Sequence, residues 1–225
     1  CNLSIIPFIP VPISIVLIVM YLEARNRNDL KRTAIIQPLT TTVSLIIAAL
    51  SFFSPGSNHS YTIAILAGMG LCLTADIFNI DMNNPKIFIA GIVAFIFAYL
   101  EYAITYTIFN KGFQPADWIV GIFFIGIYIF LMRLYWKNLG EYRIPVMIYG
   151  LFMPFMVTRA ISTLFGGSFS LVSALLVTIG SSMLFLGDVE YGVHRFVKPG
   201  KFTIGPICYA GGQLLIALSC SFFIN

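Results

Sequence analysis

Eight apolar runs, each close to 20 residues, occupy most of this 225-residue chain and leave it few ways to fold. They lie at roughly 4–22, 33–53, 61–80, 86–109, 117–136, 143–164, 169–191 and 203–223. A helix needs about 20 apolar residues to cross the hydrocarbon of a bilayer, and it satisfies its own backbone polar groups as it does so. The connections are short and carry turn chemistry: Asn26-Arg27-Asn28-Asp29, Ser54-Pro55-Gly56-Ser57, Asp81-Met82-Asn83-Asn84-Pro85, Asn110-Lys111-Gly112, Gly166-Gly167-Ser168 and Lys198-Pro199-Gly200. None can house a second domain. Composition agrees about the solvent, since only 10% of residues are charged and mean hydropathy is +0.92, against about 25% charged in a soluble domain. The expectation is an all-α, polytopic membrane bundle of eight transmembrane helices, forming one domain over residues 1–225.

Lys and Arg give the orientation, because cytoplasmic loops retain them. Eleven of the thirteen sit in the odd-numbered loops (Arg25, Arg27, Lys31, Arg32; Lys86; Arg133, Lys137, Arg143; Arg195, Lys198, Lys201). The even loops hold only Lys111, and Arg159 is inside the sixth run. Both termini are therefore expected on the extracytoplasmic side. The sequence does not name the membrane; the plasma membrane is the first expectation. A net charge of +4 spread over short loops forms no patch, so no nucleic-acid partner is expected and membrane lipids are. Ile5 to Tyr21 followed by basic residues reads as a first span and not as a cleaved signal. The start at Cys1 suggests a processed or trimmed product. Cys1, Cys72, Cys208 and Cys220 lack metal spacing and read as packing residues. His59 falls in an outer loop and His194 in a cytoplasmic one, so a His-rich metal centre is excluded; no metal and no cofactor are expected. Asn58-His59-Ser60 fits a glycosylation acceptor but hugs the membrane, and is expected to be unused.

Two carboxylates break the apolar pattern. Asp76 ends Gly70-Leu71-Cys72-Leu73-Thr74-Ala75-Asp76-Ile77-Phe78, and Asp188 lies near the end of the run from Gly180 to Gly192. An ionisable group in a span costs roughly 2.5 kcal/mol or more on insertion scales and marks function by default. Both spans run inward, which puts each aspartate within about a turn of the cytoplasmic interface. They admit a structural reading, bonding to hydroxyls or amides of neighbouring helices, and a chemical one, as paired general acid and base. Gln37, Thr40, Tyr149 and Tyr209 fall in the same half of the bilayer. Tyr209 and Gln213, one turn apart, are expected to line one cavity with them. Tyr99, Glu101 and Tyr102 lie deeper, with Tyr hydroxyls or Arg159 as partners for Glu101. Glu190, two residues from Asp188, points elsewhere and reads as a solvated end group. Arg159 is expected to snorkel to the outer surface. Gly211-Gly212 should make a tight helix contact, and Trp118, Tyr135 and Trp136 an interfacial belt.

The order of these pieces resembles the YhhN family of membrane proteins. The resemblance rests on Gln37-Pro38-Leu39-Thr40-Thr41, Ala75-Asp76, and Gly91 through Phe95 to Ala98-Tyr99-Leu100-Glu101-Tyr102. It continues in Gly180 through Leu184-Phe185 to Gly187-Asp188, His194-Arg195-Phe196, and Tyr209 through Gln213-Leu214-Leu215. The family pattern has Lys where Gln37 stands, Gly before the first aspartate, His where Tyr99 stands, and Ser where Gly187 stands. Characterised members are lysoplasmalogenases. The resemblance therefore implies a hydrolase that cleaves the vinyl ether of a lysophospholipid substrate, releasing a fatty aldehyde and a glycerophospho-head group. Asp76 and Asp188 would be catalytic. Gln37, Thr40, Tyr99, Glu101, Tyr102, Tyr149, Tyr209 and Gln213 would bind substrate, with the head group near Arg195, Lys198 or Lys86. Two other readings stand beside it: a small proton- or cation-coupled transporter built on a parallel repeat of the two Asp-bearing spans, and an inactive lipid-binding relative.

Overall fold

A computed structural model of the chain describes residues 4–81 and 84–223. Its elements are α1 (Val11–Asn26), α2 (Leu30–Leu50), α3 (His59–Phe78), α4 (Pro85–Phe109), α5 (Ala116–Tyr135), α6 (Arg143–Ser162), α7 (Leu171–Phe196) and α8 (Gly205–Ser219), with no strand among the described residues. Cys1 lies outside the described residues. Side-chain caps set several of the helix starts: Asp29 accepts from Arg32 N, Asn58 from Tyr61 N, Asn84 from Lys86 N and Ser170 from Ser173 N. Each satisfies a backbone donor that the first turn leaves without a partner. Pro7 and Pro10 confine the start of the first run to a single 3-10 turn at Ile6–Phe8, so α1 begins at Val11, later than the sequence suggests.

Seven helices are long and apolar enough to cross a membrane, and the chain is a multi-pass membrane protein. The eighth, α8, has only 15 residues. It is the most enclosed, with only Ile207, Leu215 and Leu218 escaping burial. A helix apolar on every side belongs inside a bundle. It runs antiparallel to α7 at backbone contact. A Cβ on Gly180 would come within 2.9 Å of Gly212 O, and one on Gly212 within 2.6 Å of Gly180 O. The expected Gly211-Gly212 contact is thus made by Gly212 with Gly180. At the start of α8, Glu190 of α7 accepts from Thr203 N at 2.9 Å and from Gly205 N; at its end, Ser170 donates to Phe222 O at 2.9 Å. Glu190 is therefore no solvated end group. It is the anion at the N-terminus of α8, where the helix dipole favours negative charge.

Rings close the end of the bundle that carries Asn58. Phe223 packs on Tyr61 and Phe169 with centroids 4.4 and 4.5 Å apart, and on Phe109 at 5.6 Å. Phe223 O accepts from Asn58 N at 3.1 Å, and Ser51 and Ser221 share a hydroxyl bond of 2.8 Å.

α1 and α5 are peripheral. Ile13, Val16 and Val19 on α1 and Ile119, Ile122, Phe123 and Phe130 on α5 are exposed. In water such a belt would drive association; around a membrane bundle it faces acyl chains. Trp118 and Trp136 join that surface, but Tyr135 does not: it is buried, and its hydroxyl donates to Val189 O at 3.2 Å. Two other expectations fail for one reason, that helices reach further than their apolar runs. α7 continues through His194, which is helical and not in a loop, and α3 already begins at His59.

Arg159 does not snorkel. It is completely buried, ion-paired with Asp117 of α5, and its guanidinium also donates to Thr107 Oγ1 at 2.8 Å, Gly112 O at 2.6 Å and Ser162 Oγ at 3.3 Å. The cation thereby pins the α4–α5 turn to α6. Glu101 consequently has neither Arg159 nor a Tyr on it; Thr105, on its own helix, donates to it at 3.4 Å.

Candidate active site

The two aspartates stand in two nests of neutral donors at the end of the bundle opposite Asn58. Gln37 and Thr41 are four residues apart on α2, hence on one face. That face meets α3 at Asp76, where Gln37 Nε2 donates to Oδ1 at 2.7 Å and Thr41 Oγ1 to Oδ2 at 2.5 Å. Tyr209, one turn into α8, donates to Oδ1 at 2.8 Å. Tyr21 at the end of α1 donates to Gln37 Oε1 at 2.9 Å, which turns the amide so that its NH₂ faces the carboxylate. Asp76 is buried and has all three of these donors around it. Asp188 of α7 is partly exposed to a cavity; its Oδ2 accepts from Tyr149 OH of α6 at 2.6 Å and from Tyr99 OH of α4.

Close packing brings the nests level. A Cβ on Gly187 would lie 3.0 Å from Gly205 O and 3.2 Å from Tyr209 N, so the residue before Asp188 abuts the very turn of α8 that presents Tyr209 to Asp76. Phe95 fills the space between: its ring centroid is 6.0 Å from Tyr209, 6.0 Å from Tyr99 and 6.3 Å from Tyr149. Among the described residues, neither aspartate has a Lys, Arg or His within ion-pair distance. Nor do three His, Cys, Asp or Glu side chains converge there as a metal would require.

Two cavities adjoin at this point. The first, about 1050 Å³, is walled by Asp188, Tyr149, Tyr209, Phe95, Leu131 and Met153, among others. The second, about 930 Å³, is more polar and includes Asp76, Arg195, His194 and Asn28. Arg25, Gln37, Asn79, Tyr191 and Phe202 line both.

The structure thus gathers Gln37, Asp76, Tyr99, Tyr149, Asp188 and Tyr209, with Tyr99 behind Asp188 and not on a cavity wall. Thr40, Glu101, Tyr102 and Gln213 line neither cavity. Thr40 donates to its own helix at Gln37 O, 2.7 Å. Gln213 does not share the cavity with Tyr209, because α8 turns it toward Tyr102, whose hydroxyl donates to it at 3.2 Å. Of the basic residues expected near a head group, Arg195 lines the second cavity, and Lys86 and Lys198 line neither. Sequence reasoning passed over Thr41, Tyr21 and Arg25. Their signal was a spacing of four, Gln37 with Thr41 and Tyr21 with Arg25, which puts each pair on one helical face.

In a comparison with known protein families, residues 33–220 match the YhhN family. The chain belongs to the YhhN family. The match runs from α2 to the end of α8, so every donor to the two aspartates falls within the YhhN region, while Tyr21 and Arg25 precede it. No curated protein matches this YhhN chain, and no solved structure does. A carboxyl group held only by hydroxyl and amide donors at a cavity wall can give up or take a proton without first breaking an ion pair. Two such groups on adjoining cavities are able to serve acid–base chemistry.

Proposed function

We propose that this YhhN protein is a membrane hydrolase that cleaves the vinyl ether bond of lysoplasmalogens. The observation that carries the reading is the presence of two carboxylates, each without an ion-pair partner among the described residues, on adjoining cavities, one largely apolar and one more polar. Vinyl ether hydrolysis needs a proton on carbon and a water on the carbon next to oxygen. Asp188 reaches the apolar cavity, where the alkenyl chain would lie against Phe95, Leu131 and Met153. Its carboxylic acid donates a proton to the distal carbon of the double bond, and the ether oxygen shares the resulting positive charge as an oxocarbenium ion. Asp76, facing the polar cavity, takes a proton from a water as its oxygen attacks the carbon beside the ether oxygen. As the hemiacetal so formed breaks its bond to the glycerol oxygen, Asp76 returns its proton to that oxygen and the hemiacetal hydroxyl gives its proton to Asp188, which releases the aldehyde and the glycerophospho-head group and restores both carboxyls. The division of labour resembles that of paired carboxylates in glycoside hydrolysis.

The same reading takes the chain across the membrane eight times, with both termini outside and the aspartate end facing the cytoplasm. The Lys and Arg bias supports it. So does the course of residues 203–223, which accompany α7 from Glu190 back to Ser170 although only 15 of them are helical. The deciding experiment is to supply lysoplasmalogen to the purified full-length protein in detergent and to measure free aldehyde. Release well above a protein-free control is expected. An absence of aldehyde, with carboxylates that affect only flux across sealed vesicles, would replace the hydrolase with a transporter.

A further inference from the structure

Arg25 stands where the two cavities meet, and among the described residues no carboxylate lies within ion-pair distance of it. It occupies the last turn of α1 and is partly buried. Its guanidinium carbon lies 5.0 Å from the Phe202 ring centroid, 5.7 Å from Tyr191 and 5.8 Å from Tyr21. Ring faces attract a cation electrostatically but accept little along its N–H bonds. The Nε hydrogen finds no acceptor. Ion pairs elsewhere show what is missing: Arg159 has Asp117, Arg27 has Glu23 and Arg32 has Asp29, whereas Arg25 has no carboxylate within 4 Å among the described residues. An arginine is charged at any pH a cell meets, so a permanent cation has been built into the junction with one donor, its Nε hydrogen, unmatched.

The second cavity adds Arg195 and His194, and its one carboxylate among the described lining residues is Asp76, already holding three donors. The first chamber is mostly apolar. We propose that Arg25 is the anchor for a phosphodiester, binding the head-group phosphate of a single-chain lipid whose tail occupies the first cavity. This deepens the hydrolase reading and rests on it. A guanidinium fork matches two oxygens of one phosphate. In a lysophospholipid the three glycerol carbons separate that phosphate from the ether oxygen. With the phosphate on Arg25, the glycerol crosses the shared wall at Gln37 and lays the ether between Asp76 and Asp188. Lipids with a phosphate are held tightly, and their phosphate-free counterparts only through the tail.

The test uses the full-length protein in detergent and follows its Tm, since a ligand of the folded state raises it by mass action. Three probes are compared: a saturated 1-alkyl lysophospholipid, which cannot be cleaved, the 1-alkylglycerol of the same chain, and glycerol 3-phosphate. Wild type is expected to bind the lysophospholipid about tenfold to a hundredfold more tightly than the alkylglycerol, as loss of hydrogen bonds to a charged group implies. Arg25→Met retains the stem against the rings; it should abolish that preference and bind the alkylglycerol as wild type does. Arg25→Lys should keep part of it. Equal binding of the two lipids by wild type, which needs no variant, overturns the proposal, as does a preference that survives in Arg25→Met. Glycerol 3-phosphate binding as tightly as the lysophospholipid would overturn the lipid assignment in favour of a free anion. Aldehyde release is scored separately. An Arg25-dependent preference without aldehyde removes the hydrolase and keeps the anchor; aldehyde with an Arg25-independent preference does the reverse.

Discussion

Asp76 and Asp188 are both carboxylates in spans, and the proposed reaction gives them different tasks. Replacing either by Asn retains size and hydrogen bonding but removes the transferable proton. Each variant is expected to lose about 10²–10⁴-fold in aldehyde release while keeping the wild-type elution profile in detergent. Variants that cleave as fast as wild type would end the acid–base proposal. Gln37→Lys separates the roles, because it puts a cation against Asp76 and holds that carboxylate ionised. If Asp76 is the base, aldehyde release should persist within about tenfold, whereas an acid in that position would be silenced as thoroughly as by Asn. The aspartates were legible in the sequence because charge within an apolar run is conspicuous. Thr41 was not, although it adjoins Thr40: one residue is about 100° of helix, and no pattern says which of two threonines faces α3. Arg25 hid in the same way, at the end of a run where a basic residue reads as a solvated boundary. The direct donors Gln37 and Tyr99 stand where the family pattern has Lys and His, so this chain holds both its carboxylates by neutral groups.

Helix extents were legible to within a few residues, since runs of apolar side chains end at turns. Helix rotation was not, and it decides the contacts. Gly180 and Gly212 are the clearest case, each with backbone where its Cβ would go. Gly180→Ala is expected to cost about 1–3 kcal/mol by overpacking, read as a lower Tm. Gly70→Ala, whose Cβ would meet nothing within 4 Å, should be neutral or stabilising by up to about 1 kcal/mol. A Gly180→Ala protein as stable as Gly70→Ala would show that α7 and α8 are not in backbone contact. Arg159 and Asp117 escaped the sequence reading because their meeting depends on how α5 leans on α6. Breaking a buried pair strands a charge, so Asp117→Ala should destabilise by about 3–5 kcal/mol, and the double variant Arg159→Met with Asp117→Leu by much less. Thermal unfolding of the three proteins in one detergent checks the order.

At the scale of the molecule, the eleven-to-one Lys and Arg bias predicts which loops water-soluble reagents reach. Single cysteines at His59 and Lys111 should react with an impermeant maleimide from outside cells, and those at Lys198 and Lys201 only after permeabilisation. Labelling of a cysteine near Asn225 from the cytoplasm would refute the proposed even number of crossings. The ring cluster of Tyr61, Phe109, Phe169 and Phe223 has its own consequence for the cell. With rings packed at that end and both described cavities at the other, the proposed hydrolase would draw its lipids from a single leaflet. By that proposal, a lysolipid delivered to the opposite leaflet would go uncleaved until it flips. In sealed vesicles with the protein in one orientation, cleavage of lipid added to the wrong face should therefore run at the pace of flip-flop, and aldehyde would become a clock for the bilayer's own traffic.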